Sequence, residues 1–246
     1  AKIGAGTWVL AGTNTYSGTT TLSQGTLKLK ANAATSTVLP SANAITFAAS
    51  NIFAGATLEF VGQDSANNVQ NLGKLTYSNG SNTVKLTPGT AGTASLVFAN
   101  LATTGGATIN FSGADFTSNK VTLTQINDSA GSDGVVSRSV FFNGADYAYR
   151  ESGVLRAPVY GTDTNTATTA GGPLTAAVNN EITGSFSTDD VSIVTLRIPG
   201  SHTLTINSGK TLTMTGAGVL VTGGNATITG GTALATGSNV LVPRVN

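Results

Sequence analysis

His202 is the one histidine of a 246-residue chain that has no cysteine, so acyl-transfer chemistry would have to run through it. A serine–histidine–carboxylate triad needs a serine oxygen within reach of the imidazole and an acid to orient the ring. Ser201 precedes His202, but neighbouring residues of a strand point to opposite faces. His202 also opens the alternating run HTLTIN, beside Leu204 and Ile206. A structural histidine is the expectation. Asp189–Asp190 is the one adjacent acidic pair. Calcium needs several oxygen ligands, and the glycine-rich run TGGNATITGG lacks the Asp of calcium-binding β-roll repeats, so a solvated turn is expected there. Charge and aromatic rings come together once, at Asp146, Tyr147, Tyr149, Arg150, Glu151 and Arg156. Asp146 and Glu151 are the acids a polysaccharide-cleaving site could use. Tyr147, Tyr149, Arg150 and Arg156 are the side chains that could stack on and hydrogen-bond to a glycan. The plainer reading is a surface meander in which Arg and Glu pair. No catalytic residue, metal or cofactor is expected. The glycine-rich turns also lack the Lys-Ser/Thr ending of a phosphate-binding loop.

Such residues need elements to hold them, and the composition points to strands. Gly, Thr, Ser and Asn make up about half of the chain, while charged residues are 9%, far below the usual share. Thr and Val suit a pleated surface, and Gly and Asn suit tight turns. Apolar residues at 39% still suffice for a core. A net charge of +1 with scattered Lys and Arg gives no footprint for nucleic acid. No apolar run is long enough for a membrane-spanning helix, so no membrane insertion of this segment is expected. The start AKIGAGTWVL has no signal-peptide core and reads as mid-repeat.

Period-two alternation dominates. GTLKLK, ATLEF, NTVKL, VTLTQI, HTLTIN and TLTMTG each put two apolar residues on one face, the mark of half-buried strands. After residue 200 a strand recurs roughly every eight residues, broken by NSG, GAG and TGG. Very short strands and frequent Gly and Asn turns favour an all-β, right-handed parallel β-helix (β-solenoid), with about three short strands per coil of roughly 20 to 25 residues. A β-sandwich is the alternative. The middle differs: it holds three of the five arginines, Arg138, Arg150 and Arg156, and Asn143–Gly144 is a tight-turn signal. The expected organisation is therefore solenoid over 1–133, an antiparallel Tyr/Arg meander and exposed loop over 134–172, and regular coils over 173–246.

The opening stretch GAGTWVLAGTNTYSGTTTLSQGTLKL closely resembles the autotransporter-associated β-strand repeat, found in large secreted passenger proteins of Gram-negative, planctomycete or verrucomicrobial bacteria. The matching residues are Gly6, Thr7, Trp8, Leu10, Gly12, Asn14, Thr15, Tyr16, Gly18, Thr20, Gly25 and Leu27. The resemblance implies a right-handed parallel β-helix, exported to the cell surface or the extracellular space. On physical grounds Trp8 and Leu10 should fill the interior, and Gly12 and Gly18 should permit turns closed to other residues. Asn14 should satisfy backbone groups locally or stack on equivalent Asn residues, and the Tyr16 hydroxyl needs a partner.

The leading expectation is a non-enzymatic structural protein: a surface fibre, adhesin stalk or matrix. The apolar runs TWVL and NVLV have no evident polar cap, and terminal layers of a solenoid need one. Trp8 and Leu241 are accordingly the expected assembly ends, and the expected partner is the chain itself, head to tail, or further chain. A glycan- or cell-binding module is the second expectation, and a polysaccharide-degrading enzyme the third.

Overall fold

The computed structural model describes residues 1–33, 37–51, 54–103, 106–115, 117–237 and 241–245. Every regular element among them is a strand. They form two compact units. The first comprises Ala1–Asp133, Val140–Gly144 and Tyr149–Arg156; the second comprises Gly134–Ser139, Ala145–Ala148 and Ala157–Asn246.

In the first unit the chain alternates between two sheets. The strands up to residue 112 are β1 (Thr7–Ala11), β2 (Thr20–Leu22), β3 (Gly25–Lys30), β4 (Ile45–Phe47), β5 (Ala56–Val61), β6 (Asn67–Tyr77), β7 (Ser81–Thr87), β8 (Thr93–Thr103) and β9 (Thr108–Ser112). They are followed by β10 (Val121–Ile126) and β11 (Ser129–Ala130). Odd strands pair in the order β1-β3-β5-β7-β9, and even strands in the order β2-β4-β6-β8-β10. All these pairings are parallel. Each strand therefore bonds to the one two places along rather than to the next, unlike the strands of an up-and-down sandwich. Parallel sheets of this kind are compatible with a β-helix.

Register explains the alternation. Leu27, Leu58, Val84 and Phe111 are successive partners across the odd sheet, as are Leu29, Phe60 and Leu86. All seven are buried. The period-two pattern thus places whole rows of apolar side chains on one face. Buried amides close gaps in the backbone bonding. The Gln70 carbonyl oxygen accepts from the Val38 and Leu39 amides at 2.7 and 3.1 Å, and its amino group donates to the Leu39 carbonyl at 2.8 Å.

Between the units in sequence come β12 (Gly134–Val135), β13 (Val140–Phe142), β14 (Asp146–Tyr147), β15 (Tyr149–Glu151) and β16 (Val154–Arg156). Within the stretch expected as a meander, β15 and β16 form an antiparallel hairpin, which joins the even sheet where β16 meets β10 antiparallel. Its turn uses Ser152 and Gly153, both at positive φ (48° and 90°). Asn143 and Gly144 (49° and 74°) have the conformation that the tight-turn signal predicts.

The second unit contains β17 (Thr166–Thr169), β18 (Asn179–Ile182), β19 (Phe186–Thr188), β20 (Val191–Pro199), β21 (Thr203–Ile206), β22 (Thr211–Thr222), β23 (Thr227–Gly230), β24 (Ala233–Ala235) and β25 (Val242–Val245). One parallel sheet runs β17-β18-β20-β22-β24, with β25 also on β22, and a smaller one runs β19-β21-β23. Ile182, Ile193, Leu196, Leu204, Leu212 and Met214 form its core. The stretch 161–173, expected as a loop, contains strand β17. Its Thr-rich segment suits a pleated surface and finds a parallel partner in β18.

Candidate functional site

The amino-terminal edge carries the largest group of sequence-singled residues. Trp8 is the register partner of Leu27, and Leu10 of Leu29, so both continue the buried rows. Yet β1 is the edge strand of its sheet, and no row beyond it covers them. Trp8 is 51% exposed and Leu10 half-buried. The expectation that these side chains fill the interior is corrected accordingly: they lie on the right face, at an uncovered edge. With Tyr16, Leu27, Lys2 and Asn14 they line a cleft of ≈ 470 Å³.

The polar residues around this cleft are engaged with the chain itself. The Asn14 amide donates to the carbonyls of Gly12 and Val38 at 3.1 and 3.0 Å. The Tyr16 hydroxyl meets Thr20 Oγ1 at 2.9 Å, and Thr20 donates to Asn43 Oδ1 at 2.7 Å. Lys2 is buried, and its ammonium donates to the carbonyls of Ile3, Gly4 and Gln24 at 3.3, 2.5 and 3.0 Å. Those bonds match the three donors of a lysine. Nothing in the sequence marked Lys2, because its acceptors are backbone.

The Tyr/Arg candidates lie largely inside the fold. Tyr147 and Tyr149 are buried, and Arg150 nearly so. Burial pushes the Tyr147 hydroxyl far above its ordinary value. The Arg150 guanidinium is spent on the fold: Nε donates to the Leu123 carbonyl at 3.0 Å, and Nη1 to the Gly131 carbonyl at 2.5 Å and to Asp133 at 3.3 Å. Arg156 donates to Glu151 at 2.9 Å and lies 4.4 Å over the Tyr149 ring. Tyr149, Arg150, Glu151 and Arg156 belong to the first unit, Asp146 and Tyr147 to the second.

In the second unit Asp146 belongs to a charge cluster absent from the sequence reading. Arg197 Nε lies 2.6 Å from Asp146 Oδ1, while Nη1 pairs with Glu181. Burial raises the Asp146 carboxyl to about 6, against the attraction of Arg197 and with the help of Glu181. Glu181 and Arg197 are register partners on β18 and β20, a pairing that local alternation does not encode.

The His202 backbone amide donates to the Gly200 carbonyl at 3.2 Å and its carbonyl accepts from the Thr227 amide at 2.9 Å. Ser201 Oγ accepts the Asn225 amide at 3.1 Å. Asp189 accepts from the Asn207 amide at 3.1 Å. Asp190 braces a turn through the Thr211 amide and Lys210 at 2.8 and 3.1 Å. Among the described residues no three His, Cys, Asp or Glu side chains are grouped to hold a metal. At the other expected assembly end, Leu241 is partly buried and packs against the core of the second unit. Residues 239 and 240 of the NVLV run lie outside the described residues.

The built edge at residues 1–29, with its Gly-Thr-Trp strand, amide-braced turn and Tyr16–Thr20 bond, coincides with a match to the passenger-associated-transport-repeat family over residues 1–29. The chain carries an autotransporter passenger repeat. A similar curated protein is the adhesin BmaC autotransporter of Brucella suis biovar 1 (strain 1330), 28% identical over 233 residues. That match takes in 83% of this chain and 6% of the relative's length. No solved structure matches the chain. In the passenger repeat Gly25 has a specific duty: at φ +71° a Cβ there would stand 2.5 Å from the Gly6 carbonyl oxygen. Gly12, at φ +72°, fits the expected turn. Gly18 does not: it lies outside the positive-φ region and has open space around it, so no backbone strain reserves it for glycine.

Proposed function

We propose that this chain is a segment of a secreted, adhesin-type passenger on the surface of a Gram-negative-type bacterium. In this reading it is a non-enzymatic, right-handed β-solenoid that serves as a stalk or fibre. The observation that carries the reading is the passenger repeat, whose apolar rows run in register across the odd sheet and stop at a half-exposed Trp8. In this reading the row is covered by one more strand of the same alternation from a second copy. Heterologous contacts that do not close give filaments. The carboxy-terminal counterpart is the edge of the second unit's larger sheet, where Leu234 and Val245 are exposed.

Trp8 is a better probe of assembly than Leu241, because Leu241 also supports a core. The chain is expected to associate in a concentration-dependent way in sedimentation velocity, into rods with β layers about 4.8 Å apart. Trp8→Glu should keep the fold and remain monomeric. A wild-type chain that stays monomeric at high concentration, or a Trp8→Glu variant that associates normally, would defeat end-to-end stacking. Tyr147, Tyr149 and Arg150 are buried, which favours the stalk reading over the glycan-binding one. Asp146 and Glu151 are each paired with an arginine.

A further inference from the structure

Residues 145–148 belong to the second unit although they are remote in sequence from its sheets, and something must hold them there. Arg197, on β20, does so in two ways. Its Nε and Nη2 donate to the Ala145 carbonyl at 3.4 and 3.3 Å, and its guanidinium pairs with Asp146 on β14. The same guanidinium pairs with Glu181 on β18, which also accepts from Thr168 at 3.2 Å. The side chains of Arg197, Asp146 and Glu181 are all at least four-fifths buried. One cation thus serves two carboxylates where water screens them little. Tyr160, in the segment after β16, lies with Arg197 5.9 Å from its ring centroid. Its buried hydroxyl has no hydrogen-bond partner among the described residues. The charged groups that act on Asp146 are Arg197 and Glu181, one cation against two carboxylates.

We propose that this clasp tightens in acid: neutralising one of its two carboxylates strengthens the hold of residues 145–148 on the sheet of the second unit. Asp146 is the carboxylate that takes the proton, because Glu181 accepts from the hydroxyl of Thr168 as well as pairing with Arg197, whereas the buried Asp146 Oδ1, though close to Arg197, has no hydrogen-bond partner of good geometry among the described residues. Its carboxyl is raised from 3.8 to about 6 by burial first, with Arg197 opposing and Glu181 assisting. A carboxyl raised on folding contributes stability that is full below its unfolded value and is lost as pH rises through its folded value. The window is therefore about pH 4 to 6, and the clasp is weakest at neutral pH. The device is a regulatory one: a passenger segment whose second unit is firmer in an acidic niche.

Hydrogen exchange of the intact chain, expressed as protection factors at residues 145–148 and along β18 and β20, tests this. Protection there should be roughly tenfold or more higher at pH 4.5 than at pH 7.5. Asp146→Asn should abolish the response and confer the acid level of protection at pH 7.5. Glu181→Gln should shift the midpoint of the response to lower pH, since it removes the repulsion that raises Asp146. Protection that falls on acidification, or an Asp146→Asn protein that keeps the response, would overturn the proposal. If Asp146→Asn does not fold, an unmoved midpoint in Glu181→Gln overturns it equally.

Discussion

Acid works in opposite directions on Glu59 in the first unit and Asp146 in the second. Glu59 lies on β5 between two cations in register with it, Lys28 on β3 and Lys85 on β7, with ammonium–carboxylate distances of 3.1 Å on both sides. Burial alone would raise its carboxyl, but the Thr87 hydroxyl, Lys28 and Lys85 outweigh burial and hold it below its ordinary value. Asp146 has the reverse arrangement, one guanidinium shared with a second carboxylate. An ion pair in a structure thus does not declare the sign of its own contribution. The local count of charges decides it.

Three substitutions would break or sharpen this contrast. Arg197→Ala should be the most damaging, because it leaves two buried carboxylates without their cation; a loss of about 3–5 kcal/mol from the second unit is expected. Denaturant unfolding read by hydrogen exchange at β20 would measure it, and a wild-type-like result would show that the clasp is not structural. Glu59→Gln should cost less, about 1–2 kcal/mol in the first unit, because Lys28 and Lys85 reach water. In the wild type that contribution should be present above about pH 4.5 and fade as pH falls through the lowered folded value; its disappearance would be followed at the β5 amides. Asp190→Asn should change neither unit's unfolding midpoint, since its ion pair with Lys210 is exposed and surface pairs are worth little. A clear destabilisation by Asp190→Asn would mean that counting enclosure misjudges these pairs.

The strands themselves were readable. GTLKLK, ATLEF, NTVKL and VTLTQI coincide with β3, β5, β7 and β10, because alternation is a local property of the chain. Partners were not readable, because alternation says which face a residue shares and not which strand lies beside it. Lys28, Glu59 and Lys85 are scattered in sequence and adjacent only in register; the same holds for Glu181 and Arg197. The Tyr/Arg segment misled for a related reason. Tyr and Arg have polar tips that suit a surface, yet Tyr147 and Tyr149 are buried and the Leu123 and Gly131 carbonyls accept Arg150 inside. Trp8 misled in the opposite sense: its face was right, and its exposure depends on a neighbour that a local pattern cannot count.

The register of the first unit also sets how it would yield to a pull. Each strand of the odd sheet is bonded to its neighbours row by row, and successive partners such as Leu58, Val84 and Phe111 are 26 or 27 residues apart along the chain. A load that peels one strand from the sheet breaks one short ladder and frees the slack of one interval, on the order of 90 Å of extended chain. The next ladder then takes the load intact. Tension would be shed in discrete steps of similar length, a sawtooth that single-molecule stretching could record.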